Sequence, residues 1–421
     1  MTPSADRPRL LFINRSYWPD VEATGQLLTE LCEDLACDFD VHVLCGQPQR
    51  VVDDAEFAAA GRQSRNGVTI HRVRHTRFAK ASFWGRLANM LSFQAAATWQ
   101  ALRAPRPDCV VTETDPPFLC LLGWLLKGAR RCGLVCYLQD IYPDVAVALG
   151  KLRPGVKTRV LRRLFFAAYR RSDAVVVLSR DMRELVVEGG VSPAQVHVIA
   201  NWVDTDAIYP VKENNRFRRA NDLDGRFVVM YSGNMGLSQR LEQVLDAAEL
   251  LRDRQDIVFA MVGDGAHRRN LVQAAADRKL ANARFFDYQP KSELADSLSA
   301  ADLHLVILRP EIKQLLMPSK LYGVLASGTP ALVVADANCE LAAIVAEHDL
   351  GTVVASEGAA ELAEAVRRYA ASRDLVERQS IVARKFAETH CRRSSSVGRF
   401  RALLGGLTAA KGASVTDFDA R

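Results

Sequence analysis

Phe227-Val-Val-Met-Tyr-Ser-Gly-Asn-Met-Gly236 decides the reading of the fold. An apolar, β-branched run ends in a loop with two glycines, and helical spacing resumes over Leu241–Leu251. This reads as a buried parallel strand, a tight turn and a helix packed back over the strand. Towards the C-terminus the unit repeats. Strands are predicted at Ile257–Val262, Ala283–Phe286, Leu303–Leu308 and Ala331–Val334, with helices at Ala266–Leu280, Ser292–Ala300 and Ser319–Ala326. Towards the N-terminus the strand candidates are Arg9–Asn14, Val41–Gly46, Val68–Val73, Asp108–Thr112, Leu134–Leu138, Ala174–Leu178 and Val196–Ile199, with a helix over Thr24–Ala36. Between the two series, Asn201 to Gly225 holds Pro210, Asn214-Asn215 and several charges without a clear period, an interdomain crossing. The expectation is an α/β protein of two doubly wound parallel-sheet domains, residues 1–204 and 205–390, then a helix over 391–410 and a frayed tail over 411–421.

Length and composition agree. The 421 residues are 49% hydrophobic and 25% charged, which excludes whole-chain disorder and small disulfide scaffolds. The nine cysteines are odd in number, form no CxxC pair and mostly sit in apolar runs, so they read as buried hydrophobes in a reducing compartment. No signal peptide opens the sequence, and the longest apolar runs, such as Phe118 to Leu126, fall short of the ~18–20 residues a membrane span needs. A cytoplasmic location is expected.

Charge is placed unevenly. Net charge is +6, yet residues 57–171 carry 20 Lys and Arg against five acids, a net of +15 that leaves −9 for the rest. Two acid-free stretches stand out. Lys151 to Arg171 mixes eight bases with Val160, Leu161, Leu164, Phe165 and Phe166, and Phe78 to Leu102 holds Phe83, Trp84, Leu87, Met90, Leu91, Phe93 and Trp99. Such helices suit peripheral contact with an anionic membrane; the alternative is a core-facing helix with a solvated basic back. Nucleic acid is not expected as a partner.

Open α/β sheets bind ligands at the carboxyl ends of their strands, so the candidate residues sit in loops. Gly25, after Thr24, opens a helix where a phosphate can approach backbone N–H groups; it also fits a simple turn. Asp140 and Asp144, in Gln139-Asp-Ile-Tyr-Pro-Asp144, lie at a strand end as acid–base candidates or as helix caps. Gly233 and Gly236 allow close backbone approach, and Gly263-Asp-Gly265 follows the next strand. Pro318 suits a first helical turn. Lys320 beside it opposes the helix dipole, which an anion bound nearby explains better than a side chain pointing to water. Glu340 opens the following helix, where the dipole alone can favour an acid. Four Asp-x-Asp triplets recur in unrelated contexts and discriminate nothing. Zinc-spaced Cys/His sets and a Gly-x-Ser-x-Gly elbow are absent, so no metal or other cofactor is inferred.

From Leu10 to about Leu404 the chain resembles the family 4 retaining glycosyltransferases of GT-B architecture, and is most similar to their bacterial capsule, O-antigen and colanic-acid branch. The resemblance rests on Tyr17-Trp-Pro with Thr24-Gly25, Glu113-Thr-Asp-Pro-Pro117, Gln139 to Gly150, Ile199-Ala-Asn-Trp-Val-Asp204, Tyr231 to Gly236, Met317-Pro-Ser-Lys-Leu-Tyr322 and Ala326-Ser-Gly-Thr-Pro330, in order. It implies two Rossmann-like domains facing across a cleft, and a UDP- or GDP-linked sugar as co-substrate. The diphosphate would lie by Thr24, Gly25, Gly233, Asn234, Pro318, Ser319, Lys320 and Leu321. The nucleotide would meet Asp264, Tyr288 and Gln289, with Glu340 near the donor sugar or phosphate. Asp140 would stand by the anomeric centre and Trp18 and Asp144 on the acceptor side, a polyprenyl-diphosphate-linked glycan being the implied acceptor.

The chain departs from the family where many members carry a pair of Glu: Leu315 and Gly323 stand there. Asn234 and Gln239 fall near a basic pair common in the family, leaving Lys320, Arg240 or Arg309 to supply the charge. Two rival readings follow, a nucleotide-sugar epimerase on the same architecture and a catalytically inactive nucleotide-sugar-binding partner.

Overall fold

The computed structural model describes residues 7–20, 22–48, 59–78, 83–236, 239–355 and 358–416. Two compact units emerge: residues 1–200 with 396–421, and residues 201–395.

In the first unit the strands are β1 (Arg9–Ile13), β2 (Asp40–Gly46), β3 (Gly61–Arg65), β4 (Val68–Val73), β5 (Cys109–Thr112), β6 (Gly133–Leu138), β7 (Ala174–Val177) and β8 (Val196–Val198). The helices are α1 (Ala23–Leu35), α2 (Phe83–Arg103), α3 (Leu119–Arg130), α4 (Asp144–Ala148), α5 (Val156–Arg171) and α6 (Arg180–Glu188). The sheet order is β3-β4-β2-β1-β5-β6-β7-β8. Strands β5, β6 and β7 are buried at every residue, as the continuous Val/Ile/Leu/Cys runs require when helices cover both faces.

β3 is the exception to the all-parallel expectation. It pairs antiparallel with β4 through Asn66 and Gly67, both at positive φ, the backbone of a tight hairpin. Its sequence, Gly-Arg-Gln-Ser-Arg, is polar and mostly exposed, as an edge strand tolerates.

In the second unit a short helix α7 (Arg216–Ala220) occupies the stretch read as an interdomain crossing without a clear period. The strands β9 (Phe227–Ser232), β10 (Ile257–Val262), β11 (Ala283–Phe286), β12 (Leu303–Ile307), β13 (Ala331–Val334) and β14 (Gly351–Val354) run in the order β11-β10-β9-β12-β13-β14, all parallel. The helices are α8 (Glu242–Leu250), α9 (Arg268–Asp277), α10 (Leu294–Ser299), α11 (Lys320–Ala326), α12 (Glu340–Glu347), α13 (Ala359–Ala371) and α14 (Arg373–His390). In both sheets the order reverses beside the unit's first strand, between β1 and β5 and between β9 and β12. The loops after these strands therefore flank each unit's ligand crevice.

The last helix, α15 (Arg393–Thr416), runs six residues into the segment expected to fray, and residues 417–421 lie outside the described residues. Phe400 on it is fully buried and meets Tyr137 of β6 edge-on with ring centroids 4.9 Å apart. Ser396 donates to the carbonyl of Ala200, and Arg401 pairs with Asp38 at 2.6 Å. All nine cysteines are free, and all but Cys37 are buried.

If Phe400 anchors α15, Phe400→Ala is expected to cost about 3–5 kcal/mol, the usual scale for emptying a buried aromatic site. Chemical denaturation of the two proteins checks it.

Candidate functional site

The site in the second unit is built where β9, β10 and β12 end. Gly233, at φ +132°, leaves β9, and its N–H bonds the Val262 carbonyl at 3.0 Å. The Met235 N–H reaches the Asp264 carbonyl at 2.8 Å, and the His267 N–H returns to the Met235 carbonyl at 3.0 Å. The two glycine loops thus clasp each other. A methyl on Gly263 (φ +131°) would fall 2.1 Å from the Gly233 carbonyl oxygen, and one on Gly265 would fall 2.4 Å from that of Met235. Gly263 is therefore more than a turn residue: glycine is what permits this approach. The Tyr231 hydroxyl donates to the Asn234 carbonyl at 2.8 Å, fixing the loop from below.

Lys320, the first residue of α11, enters this clasp. Its Nζ sits 3.6 Å from the centroid of the Tyr231 ring, and a methyl on Gly233 would lie 3.3 Å from it. The ammonium is buried and has no hydrogen-bond partner. Burial alone pushes its pKa down to about 7. The reading in which Lys320 points to water is thereby overturned. Behind it, fully buried His304 donates its Nε2–H to the Leu298 carbonyl at 2.9 Å and stays neutral, with its pKa lowered to about 4 by burial.

The other cations are committed elsewhere. Arg240 pairs with Glu311 at 2.8 Å, and Arg309 meets the other oxygen of the same carboxylate at 3.3 Å. Arg309 holds Glu311 below the usual carboxylate range. Glu311 escaped the sequence reading because it belongs to no motif. Pro318 and Ser319 lead into α11 and their carbonyls accept from the N–H groups of Leu321 and Tyr322 at 3.3 Å. Asp264 and Tyr288 are exposed, Gln289 donates to the Asp287 carbonyl, and Glu340 begins α12 half-buried. Leu315 is buried, and Gly323 rests against Leu298.

In the first unit the candidates gather at the ends of β1, β5 and β6. Arg15, almost buried, grips both carboxylate oxygens of Asp115 at 3.1 and 2.7 Å and reaches Glu22 at 3.2 Å. Asp140, half-buried, follows β6. Its pKa rises to about 6, chiefly through burial and further through Asp115, with Lys151 opposing. Tyr142 is pushed up by burial and by Asp140. Glu113 is buried, its carboxyl raised well above the normal range by desolvation, with only Gln139 as a 3.4 Å donor.

Three sequence candidates have structural employment. A methyl on Gly25 would lie 2.4 Å from the Ser16 Oγ, so close packing by itself calls for glycine there, next to half-buried Thr24. The Trp18 ring lies under the Arg65 guanidinium at 4.3 Å, and its carbonyl accepts from Arg72. Asp144 opens α4 and pairs with Arg162 at 2.8 Å. Among the described residues no cluster of three metal-ligating side chains occurs, and no helix is long and apolar enough to cross a membrane.

Two α/β units, one sheet parallel throughout and the other parallel but for its edge strand β3, with glycine loops at their switch points, make up the GT-B architecture. Its match to solved structures is extensive: the Anabaena protein HepE, solved with UDP and glucose, superposes with a TM-score of 0.72 over 95% of this chain and 100% of that one at 16% identity. A family model described as a glycosyl transferase 4-like domain matches residues 23–202, and one described as glycosyl transferases group 1 matches residues 212–386. WbjE of Pseudomonas aeruginosa, named as a glycosyltransferase, is 32% identical over 59% of this chain and 62% of its own length, less than two thirds of that relative. WcaI of Escherichia coli strain K12, named as a colanic acid biosynthesis glycosyl transferase, is 28% identical over 90% of this chain and 95% of its own. The chain belongs to the family 4 glycosyltransferases.

An unpaired buried ammonium costs stability. Lys320→Met is expected to raise the melting temperature of the ligand-free protein near neutral pH. Because burial lowers the folded-state pKa from 10.5 to about 7, the wild type should gain stability as pH rises from about 7 towards 10, and the variant should lack that gain. Thermal melts across this range check both.

Proposed function

We propose that the protein is a retaining glycosyltransferase, moving a hexosyl or related sugar from a UDP- or GDP-linked donor to a lipid-linked or saccharide acceptor in bacterial surface polysaccharide assembly. The observation that carries the reading is the buried Lys320 ammonium at the Gly233 loop, which lacks an anion partner. A nucleoside diphosphate is dianionic or more, and gains charge as the sugar departs. A desolvated cation beside backbone N–H groups stabilises that gain. UDP bound in the HepE structure supports the donor class, and the name of WcaI supports the polysaccharide setting.

In this reading the donor phosphate would meet Lys320, Gly233, Asn234, Pro318, Ser319 and Leu321. Arg240, paired with Glu311, would shape the rim. Asp264, Tyr288 and Gln289 would meet the nucleotide, and Glu340 the sugar. The bond from the anomeric carbon to the diphosphate oxygen breaks, and one from the acceptor oxygen forms on the same face. The acceptor proton passes to the departing phosphate oxygen. Asp140, ionised above about pH 6, orients the acceptor hydroxyl and shields positive charge on the sugar; Trp18 and Asp144 flank it. Lys320 carries the charge role, so the proposal includes turnover without a divalent cation. The acid-poor stretch over residues 57–171 supports an acceptor held at the cytoplasmic membrane face, a polyprenyl diphosphate carrier among the candidates.

Lys320→Ala is expected to lower turnover by about 10²–10³, the scale of losing one charge-stabilising donor; near-normal transfer rejects the role. Asp140→Asn should slow turnover while leaving nucleotide affinity intact, as read by calorimetric titration with UDP and GDP. Chelation with EDTA should leave turnover unchanged. Incubation with nucleotide sugar alone should give no epimer.

A further inference from the structure

Helix α2 breaks the rule for a surface helix. Its inner face, Asn89, Phe93, Ala97 and Ala101, is buried, and α2 packs against β2 and β4. Its outer face should then be polar. Instead Trp84, Leu91, Trp99 and Leu102 stand 75%, 52%, 60% and 40% exposed. With Ala88 and Ala95 between them they fall on one stripe at helical spacing, running the length of the helix. Arg103 lies over the Trp99 ring at 3.6 Å, yet both tryptophans stay largely solvated on a helix that is already anchored on its other side.

The stripe has neighbours. α2 packs on α3, which covers β5 and β6, and α3 packs on α5, so the three helices lie side by side over one face of the sheet. On α5, Val156, Val160 and Leu164 are exposed at successive turns, and Lys157, Arg159 and Arg163 are exposed around them. Between the two, Leu125 of α3 is half exposed. Among these three helices not one acid occurs. The alternative of a core-facing helix with a solvated basic back describes α5 in part, since Phe165, Phe166, Ala168 and Tyr169 are buried and most of its bases are exposed, but the exposed Val156, Val160 and Leu164 lie among those bases, and the back of α2 is apolar.

We propose that the outer face of α2, α3 and α5 docks flat on an anionic phospholipid surface, with the α2 stripe inserted to headgroup depth and the α5 bases on the lipid phosphates. Charge complementarity selects this occupant. A second copy of the same acid-free face would bring like charges together, whereas an anionic bilayer offers a plane of phosphates and an apolar layer below it. Tryptophan is the side chain favoured at that depth. The docking goes beyond the transferase reading and does not depend on it, since vesicle binding is read without sugar transfer.

The full-length protein is mixed with vesicles of phosphatidylglycerol and phosphatidylcholine in equal parts, and with phosphatidylcholine alone, and floated on a density gradient. The wild type should float with the anionic vesicles and much less with the neutral ones. The triple variant Lys157→Gln, Arg159→Gln, Arg163→Gln should bind anionic vesicles about 100-fold more weakly, since each base contributes on the order of 1 kcal/mol at such a surface. Trp84→Ser with Trp99→Ser should lower binding to both vesicle types. In the wild type, lipids brominated on the acyl chain should quench tryptophan fluorescence, and in that double variant they should not. All these residues are exposed, and unchanged melting temperatures confirm folding. Absence of flotation with anionic vesicles, equal flotation of wild type and variants, or a concentration-dependent dimer abolished by Trp99→Ser would each overturn the proposal.

Discussion

A lysine with nowhere to put its charge organises the second unit. Taking an ammonium out of water costs several kcal/mol unless a counter-charge or full hydrogen bonding offsets it, and Lys320 has only the face of Tyr231. The group responds by lowering its proton affinity to about 7. Such a residue persists in a stable fold when the missing partner arrives with the ligand. An incoming anion then gains a desolvated cation, and the cation regains the stability it lost. Binding should therefore be coupled to proton uptake above neutral pH.

The surrounding backbone exists to keep that arrangement rigid. Gly263 and Gly265 approach the carbonyls of Gly233 and Met235 too closely for any β-carbon, and the hydrogen bonds from Met235 to Asp264 and from His267 to Met235 lock the two loops together. Below them the core of Val229, Tyr231, Phe259, Met261 and Leu305 is almost wholly buried. The loops therefore have little room to relax towards Lys320 or away from it, which is how a fixed electrostatic environment is maintained.

Much of this was legible in the sequence where local pattern and tertiary role coincide. The β9 and β10 strands are continuous apolar runs ended by glycine, and both read correctly to within a residue. β3 did not, because a polar edge strand has no hydrophobic period; its signal was the Asn66-Gly67 turn. α7 was hidden by the charged, Pro- and Asn-containing stretch around it, although Asn215 caps it by accepting from the Arg218 N–H. The position of Lys320 against the dipole marked it as unusual, but its burial depends on the Tyr231 ring and the Gly233 backbone, neither adjacent in sequence. The pairing of Arg240 and Arg309 with one glutamate was invisible, since Glu311 carries no motif and finds Arg240 across 71 residues. Likewise the reading of Phe78 to Leu102 as one basic-apolar segment merged residues that the helix separates, Phe93 into the core and Trp84 and Trp99 to the outside.

That separation also changes what the uneven charge means. The positive excess lies wholly in residues 57–171, and the remainder of the chain is net acidic at −9. A long-range field alone would favour the basic stretch over the net-acidic remainder that contains Lys320. Yet such fields fade over about 8 Å at physiological salt, whereas a dry ammonium a few ångströms from a phosphate is scarcely screened. Separate ranges of one force thus allow separate uses: broad, screened attraction for an extended surface, and a short, desolvated contact for a small anion. The Arg240–Glu311–Arg309 group fits the same logic, for one carboxylate engages both guanidiniums, whereas the Lys320 ammonium is left bare.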